Sequence, residues 1–274
     1  MTIAHHGQKD AIAMQDPLAS DSLVVSLRGV GKTFAAGTVA LDGFDLDIRG
    51  GEFMSLLGPS GCGKSTALRI IAGLSEPTQG SVTWPAGKPM REHSIGFVFQ
   101  EPTLMPWATV FDNVFLPLRL SGEPRAATSK RVMESLSHVS LADFANAYPR
   151  ELSGGMKMRV SIARALVTGP SLLLMDEPFA ALDEITRFKL NDDLMALWRA
   201  LGKTVVFVTH SVFESVYLSQ RVVVMTARPG RVATTLAIDA PNRDARFRTS
   251  AEYAGFCRLA SDALGRAMNT GAAA

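Results

Sequence analysis

The chain has 274 residues, of which 47% are hydrophobic, 20% charged and 7% aromatic, a composition typical of a globular protein with one substantial core. It carries 28 Lys and Arg against 26 Asp and Glu, so its formal charge of +2 gives no general reason to expect a nucleic-acid or anionic-lipid partner. The two cysteines, Cys62 and Cys257, stand far apart and outside any Cys/His cluster, which argues against a disulfide framework or a zinc site and favours a reducing cytosol. No apolar run reaches the roughly 18 residues that a membrane-spanning helix needs.

Residues 1–22 mix histidines, charged residues and small residues, with no basic segment leading into an apolar one. We therefore predict a loose N-terminal tail and no secretory signal. After this tail, residues 23–30, 44–48 and 52–57 are rich in apolar residues and are separated by glycine turns, a pattern typical of short β-strands.

The third of these strands leads into the most informative segment of the chain, Gly-Pro-Ser-Gly-Cys-Gly-Lys-Ser at residues 58–65. A helical pattern follows, so the segment stands between a strand and a helix, as a phosphate-binding loop requires. Glycine N–H groups, the positive end of the helix and the Lys64 ammonium can then face a nucleoside triphosphate. Ser65 would place its hydroxyl on Mg²⁺, and Thr66 would reach the α-phosphate side. The predicted loop contacts are Gly58, Pro59, Ser60, Gly61, Cys62, Gly63, Lys64, Ser65 and Thr66.

The rest of the chain predicts an α/β fold. A strand is predicted at 94–99, and helical periodicity between residues 110 and 152 then indicates an inserted helical lobe. After this lobe we predict helices at 155–167, 184–201 and 247–268, and strands at 172–176, 204–209 and 222–225. Because strands alternate with helices, the sheet is expected to be mainly parallel.

Two adjacent carboxylates, Asp176 and Glu177, end a buried apolar strand. In a parallel sheet this end faces the nucleotide, where Asp176 can hold the magnesium shell and Glu177 can orient the attacking water at the γ-phosphate. The alternative is a pair of acids that merely face solvent.

Two further polar residues follow strands that end at the same edge of the sheet. His210 follows the strand at 204–209 and could donate to the γ-phosphate and sense its loss. Gln100 follows the strand at 94–99, and its amide could contact both magnesium and water. A purely structural role is the alternative for each, and it is harder to dismiss for Gln100.

Together with a Leu-Ser-Gly-Gly-Met segment, these elements resemble the nucleotide-binding subunit of ATP-binding cassette (ABC) transporters over about residues 23–235. The resemblance implies a P-loop NTPase core with an N-terminal antiparallel β subdomain and an inserted helical subdomain at about 105–165. It places the ABC ATPase domain at 23–240 and a C-terminal helical tail at 241–274. It also implies ATP and Mg²⁺ as cofactors, with Glu177 as the catalytic carboxylate and Asp183 in the D-loop. The signature consists of Leu152, Ser153, Gly154, Gly155 and Met156.

Read locally, the signature is a helix start, with Ser153 as the cap and exposed backbone donors. The resemblance implies that it faces the γ-phosphate bound by a second copy, so that two chains enclose two ATP molecules head to tail. It also puts Phe34 where the family stacks an aromatic ring on adenine, and a core position is the equally weighted alternative.

A narrower resemblance, to importers of nitrate, sulfonates, taurine and related small solutes, rests on residues 100–110, Asn113, Val114, Met156 and 227–231. It implies integral-membrane permease subunits, a separate solute-binding protein and a peripheral position on the cytoplasmic face of the inner membrane. Permease docking would use the apolar segment Leu104, Met105, Pro106 and Trp107, for which ordinary core packing is the alternative.

Other functions within the family stay open from sequence alone. The solute could instead be a vitamin precursor. A non-transport cassette ATPase of the DNA-repair type would need long coiled-coil or zinc insertions, which the sequence lacks. A nucleotide sensor that does not hydrolyse ATP would be expected to lack Glu177 or His210, and both are present.

Overall fold

The computed structural model describes residues 22–84, 95–241, 243–244 and 246–270, so the predicted N-terminal tail lies, except for Ser22, outside the described residues. The strands are β1 (Leu23–Thr33), β2 (Val39–Arg49), β3 (Phe53–Leu57), β4 (Gln79–Thr83), β5 (Ile95–Val98), β6 (Leu172–Asp176), β7 (Thr204–Thr209), β8 (Arg221–Met225) and β9 (Val232–Ala237). The helices are α1 (Lys64–Ile71), α2 (Val110–Leu120), α3 (Arg125–His138), α4 (Gly154–Leu166), α5 (Glu184–Leu201), α6 (Val212–Leu218) and α7 (Ala251–Thr270).

The larger sheet has the strand order β5-β6-β7-β3-β8-β9, in which all neighbours are parallel except the final pair. The carboxyl ends of β3, β5, β6 and β7 therefore meet at one edge. This edge receives the phosphate loop from β3, Gln100 from β5, the two acids from β6 and His210 from β7.

Side chains alternate between the two faces of this sheet, and both faces are covered. In β6, Leu173 and Met175 pack into a core shared with the helices, whereas Leu172 and Leu174 pack into a second core with α1 and the smaller sheet. Burial on both sides explains why these strands read as continuous apolar runs.

The smaller sheet is antiparallel, with the order β2-β1-β4. Helices α2, α3 and α4 lie between β5 and β6 in the chain, as the predicted helical insertion requires. None of the helices in the described part of the chain is long and apolar enough to cross a membrane. The predicted fold, a mainly parallel P-loop core with an antiparallel sheet and inserted helices, is thus confirmed.

The C-terminal helix differs from its predicted bounds of 247–268. Residues Phe247–Thr249 form a separate 3-10 turn, and the Oγ of Ser250 accepts a hydrogen bond from the Tyr253 N–H at 3.1 Å. A serine in that position caps a helix, so α7 begins at Ala251. The helix buries one face against α6 and the sheet through Tyr253, Cys257, Ala260, Ala263 and Ala267.

Candidate nucleotide site

The phosphate loop joins β3 to α1, and two of its glycines are required by close packing. Gly63 has φ +111°, and a Cβ added there would lie 2.6 Å from the carbonyl oxygen of Ala40. A Cβ on Gly58 would lie 2.8 Å from the Cys62 Sγ. The Cys62 side chain is buried, and burial raises the pKa of its thiol, which agrees with a packing role rather than a nucleophilic one.

Lys64 is the buried cation at the centre of the site. Its side chain is 3% exposed, and its Nζ donates to the carbonyl oxygens of Gly58 at 2.9 Å and Pro59 at 3.0 Å. The same Nζ lies 3.2 Å from the Oε1 of Glu177. The ammonium therefore stands between the loop and the acidic end of β6.

The side chains of Ser65 and Asp176 place two oxygen atoms, both of them possible metal ligands, next to each other. The Ser65 hydroxyl donates to the Oδ1 of Asp176 at 2.7 Å. Burial raises the pKa of Asp176, and the hydrogen bond from Ser65 partly opposes that shift. A hydroxyl and a carboxylate are hard oxygen donors, which are the ligands that Mg²⁺ prefers, so the chemistry of this pair fits the ion.

Glu177 is fixed in an unusual backbone conformation, with φ +44°. Its N–H donates to the Val208 carbonyl oxygen of β7 at 3.0 Å, and its Oε2 lies 2.8 Å from the Nδ1 of His210. The Glu177 side chain is 15% exposed, whereas that of His210 is 50% exposed. The Glu177 carboxylate is thus placed between Lys64 and His210, and the two acids of β6 do not simply face solvent.

A cleft of about 350 Å³ opens above the phosphate loop. The predicted residues that line it are Phe34, Ser60, Gly61, Gly63, Lys64, Ser65, Thr66, Gln100 and Glu177. The Phe34 ring is 45% exposed, which excludes the alternative of a core aromatic. Gln100 is also exposed and lines the cleft.

The signature lies away from this cleft. Ser153 caps α4 by accepting a hydrogen bond from the Met156 N–H at 3.3 Å, and the two residues line a separate surface cavity with Ile185. A Cβ on Gly155 would lie 2.8 Å from the Thr186 Cγ2, so glycine is required for α4 to approach α5 closely. Within the described residues, the signature therefore does not contact the nucleotide cleft of its own chain.

Asp183, the predicted D-loop residue, caps α5 beside the signature. Its Oδ1 accepts a hydrogen bond from the Thr186 N–H at 3.0 Å, and this bond holds the pKa of Asp183 below its usual range. Leu152 is buried and Met156 packs against the core, so these two signature residues also have a structural role.

The segment 104–107 projects from the loop after β5. Leu104 packs against the core, whereas Trp107 is 77% exposed, which excludes core packing for Trp107. The buried side chain of Asn113 accepts from the Met105 N–H at 2.7 Å and donates to the carbonyl oxygens of Met105 at 3.2 Å and Thr109 at 2.9 Å. These hydrogen bonds fix the backbone of the segment at Met105.

Three residues that line the cleft were missed by sequence reasoning, namely Thr38, Ala40 and Arg228. Arg228 follows β8 and lines the cleft together with Phe34 and Lys64. The Ala-Arg-Pro-Gly-Arg segment at 227–231 stands out in the sequence, but nothing in its pattern indicates a contact with residues 58–63.

A phosphate loop at the edge of a parallel sheet, facing paired acids, defines a P-loop nucleoside triphosphatase. The family model described as ABC transporter matches residues 41–180. An uncharacterized ABC transporter ATP-binding protein of Methanocaldococcus jannaschii is 50% identical over 216 residues, which are 78% of this chain and 80% of that protein. The aliphatic sulfonates import ATP-binding protein SsuB of Bacillus licheniformis is 45% identical over 222 residues, which are 79% of this chain and 86% of that protein.

The solved structures give the same result. A dimeric post-hydrolysis state of an ATP-binding cassette, bound to ADP and Pi, superimposes with a TM-score of 0.68 at 37% identity. The match covers 79% of this chain and 99% of that chain. The chain therefore belongs to the ABC transporter family, as an ATP-binding subunit that hydrolyses ATP. The predicted resemblance and the predicted ATPase activity are confirmed.

Proposed function

We propose that this chain is the ATPase subunit of an ABC importer, which dimerises head to tail on ATP and drives uptake of a small solute of the nitrate, sulfonate or taurine type. The proposal rests on the observation that the predicted site residues of one chain lie in two separate places on its surface. The phosphate loop and Glu177, which contacts His210, line one cleft, while Ser153 lines a separate cavity and Asp183 lies outside the cleft lining. A second copy is then needed to bring a signature to each bound nucleotide.

In this proposal the phosphate loop binds the triphosphate through its inward N–H groups and the Lys64 ammonium. Ser65, Asp176 and Gln100 would hold Mg²⁺, which when bound neutralises charge on the β- and γ-phosphates. Phe34 stacks on adenine at the open end of the cleft. These contacts position the γ-phosphate next to Glu177.

Glu177 acts on the attacking water. Its carboxylate accepts the proton of a water molecule whose oxygen attacks the γ-phosphorus, while the bond from that phosphorus to the bridging oxygen breaks to release ADP. His210 orients the carboxylate through their 2.8 Å contact and, as an imidazolium with an N–H on both ring nitrogens, also donates to the γ-phosphate. Closure of two chains then expels water and supplies donors from the partner's signature.

The importer assignment is supported by the SsuB relatives and by the surface at 104–107. The exposed Trp107, with Leu104, Met105 and Pro106, forms an apolar docking segment for a cytoplasmic part of the permease. The subunit would thus lie peripherally on the cytoplasmic face of the inner membrane, and a separate binding protein would deliver the solute.

The test is co-purification of the chain with its permease subunits, followed by reconstitution in proteoliposomes. ATPase activity would be measured with the cognate binding protein and a panel of nitrate, alkanesulfonates, taurine and a pyrimidine vitamin precursor. We expect stimulation by nitrate, a sulfonate or taurine. Stimulation by the vitamin precursor alone would reassign the solute, and failure to associate with any permease would favour a non-transport ATPase.

A further inference from the structure

The turn between β8 and β9 reaches back onto the phosphate loop. The guanidinium of Arg228 donates to the carbonyl oxygen of Gly61 from two nitrogens, Nε at 3.1 Å and Nη2 at 2.9 Å. Arg228 is exposed and lines the nucleotide cleft, so the same side chain contacts the loop and faces the space where phosphates bind.

The contact matters because of how a phosphate loop works. Its N–H groups bind the phosphates, so its carbonyl groups need hydrogen-bond donors of their own. Lys64 satisfies the carbonyls of Gly58 and Pro59, and Arg228 satisfies that of Gly61, whose φ is +74°. The Cys62 N–H on the other side of the same peptide unit donates to the Pro59 oxygen at 3.3 Å. Both the carbonyl and the N–H of this peptide unit are therefore hydrogen-bonded, and Arg228 supplies the bond to the carbonyl.

The turn that carries Arg228 is itself anchored. The Gly230 N–H donates to the Ala40 oxygen at 2.9 Å, and the Asp42 N–H donates to the Gly230 oxygen at 3.3 Å. A Cβ on Gly230 would lie 2.2 Å from the Cys62 oxygen, so the turn packs directly on the loop. Arg231 also pairs with Asp42. Arg228 thus lies on a turn that is hydrogen-bonded to β2 and packs against the phosphate loop.

Charge adds a second effect. The cations that line the cleft are Lys64 and Arg228, and Lys64 already has Glu177 within 3.2 Å. In the described part of the chain, no carboxylate lies within ion-pair distance of Arg228. Its positive charge is therefore available to an anionic ligand.

We propose that Arg228 is a positioning residue for the nucleotide phosphates. It fixes the Gly61–Cys62 peptide, and with it the shape of the phosphate loop, and its charge raises the affinity of the cleft for a triphosphate. Because both effects act on the phosphate groups before hydrolysis, removal of the side chain should weaken binding and leave the chemical step nearly intact.

The test compares Arg228→Ala, Arg228→Gln and Arg228→Lys with a control, Arg231→Ala, on the same turn but outside the cleft lining. Affinities would be measured for the non-hydrolysable analogue AMP-PNP with Mg²⁺ and for inorganic triphosphate, which has no base, and KM and kcat for ATP. For Arg228→Ala we expect a loss on the order of tenfold in affinity and KM, similar for both ligands, with kcat within about twofold. Arg228→Lys, which keeps the charge, should recover part of the loss, and Arg228→Gln should recover less.

Three results would overturn the proposal. Unchanged affinity in Arg228→Ala would show that the guanidinium does not contribute to binding. A loss for AMP-PNP without a loss for inorganic triphosphate would place its action on the base or ribose. An equal loss in Arg231→Ala would mean that the fold of the turn matters, and not the Arg228 side chain; melting temperatures of all four variants would identify any that simply unfold.

Discussion

His210 and Glu177, which directly follow two neighbouring parallel strands, form a direct contact of 2.8 Å between Nδ1 and Oε2. The backbone supports this contact, because the Glu177 N–H is bonded to Val208, two residues before His210. The proposed catalytic carboxylate and the proposed sensor of the γ-phosphate thus belong to one unit.

The Glu177→Gln variant should bind ATP and fail to turn it over. An amide keeps the size of the side chain but cannot accept a proton from water, so steady phosphate release should fall by about 10²- to 10⁴-fold. Binding of labelled ATP, measured in parallel, should stay close to that of the parent protein. Hydrolysis at the parental rate would disprove the assigned role of Glu177.

The His210→Ala variant should also lose activity, because His210 and Glu177 form one unit. Loss of the ring frees the Glu177 carboxylate and removes a donor to the γ-phosphate, so we expect kcat to fall by about 10²-fold or more, with a smaller change in KM. Added to Glu177→Gln, the histidine substitution should cost little further activity, because residues that act together are not additive. Two fully multiplicative losses would mean that they act independently.

The Ser153→Arg variant should separate binding from hydrolysis. Ser153 lies outside the cleft of its own chain, so an isolated protomer should bind ATP with nearly unchanged affinity. The bulky charged side chain would block the partner's nucleotide, and hydrolysis should be abolished. A clear loss of ATP affinity in the protomer would contradict this division.

Trp107→Ala should uncouple ATP hydrolysis from transport. The ring is exposed and is not part of the cleft lining, so the free subunit should keep its ATPase activity, while the permease-coupled rate should drop about tenfold or more. Leu259→Ala, which removes an exposed apolar side chain from α7, is the matched control. Normal transport in the Trp107 variant would reject the docking role.

A buried ion pair beside the site predicts a pH-dependent stability. The Glu214 carboxylate accepts a hydrogen bond from the Thr209 hydroxyl at 2.5 Å and lies 3.6 Å from the Nε of Arg187. Burial raises the pKa of Glu214. Because the pKa of Glu214 is raised in the folded state, protonation of Glu214 stabilises the fold. This stabilisation is fully present below the ordinary pKa of Glu214 and is lost as the pH rises through its folded-state pKa. Arg187 opposes this loss by stabilising the ionised form.

Arg187→Met should therefore cost about 1–3 kcal/mol of unfolding free energy at pH 8, and clearly less at pH 4, which lies below even the ordinary pKa of 4.5 for Glu214. Urea unfolding at the two pH values measures the difference. In a Glu214→Gln background the pH dependence of the Arg187 effect should disappear. An equal cost at both pH values would mean that Arg187 acts through its bond to the Leu182 carbonyl instead.

The regular elements around the site were predictable because each carries its signal locally. The bounds of β6, α5 and β7 match those predicted. The strands are fully buried, and α5 has an Asp183 cap at its start and Gly202, with φ +59°, at its end. The edge at which the predicted site residues meet follows from the parallel strand order.

The elements that were missed lack such signals. In β4, Gln79–Thr83, none of the five residues is buried, α6 has only seven residues, and β9 shows no complete burial on either face. The Arg228 contact spans 167 positions, so its partner could not be read from neighbouring residues. Whether Phe34 and Trp107 are buried or exposed likewise depends on tertiary packing. A sequence alone does not tell which of the two an apolar side chain will be.

The most direct test of the central proposal, two chains sharing each nucleotide site, is complementation between Ser153→Arg and Glu177→Gln. Each variant alone should be inactive. In an equal mixture, one site of every mixed dimer combines an intact Glu177 with an intact signature, so the rate should rise to as much as about a quarter of the parental rate. If the mixture forms mixed dimers and stays as inactive as its components, or if a solitary protomer hydrolyses ATP at full speed, the shared-site account is wrong.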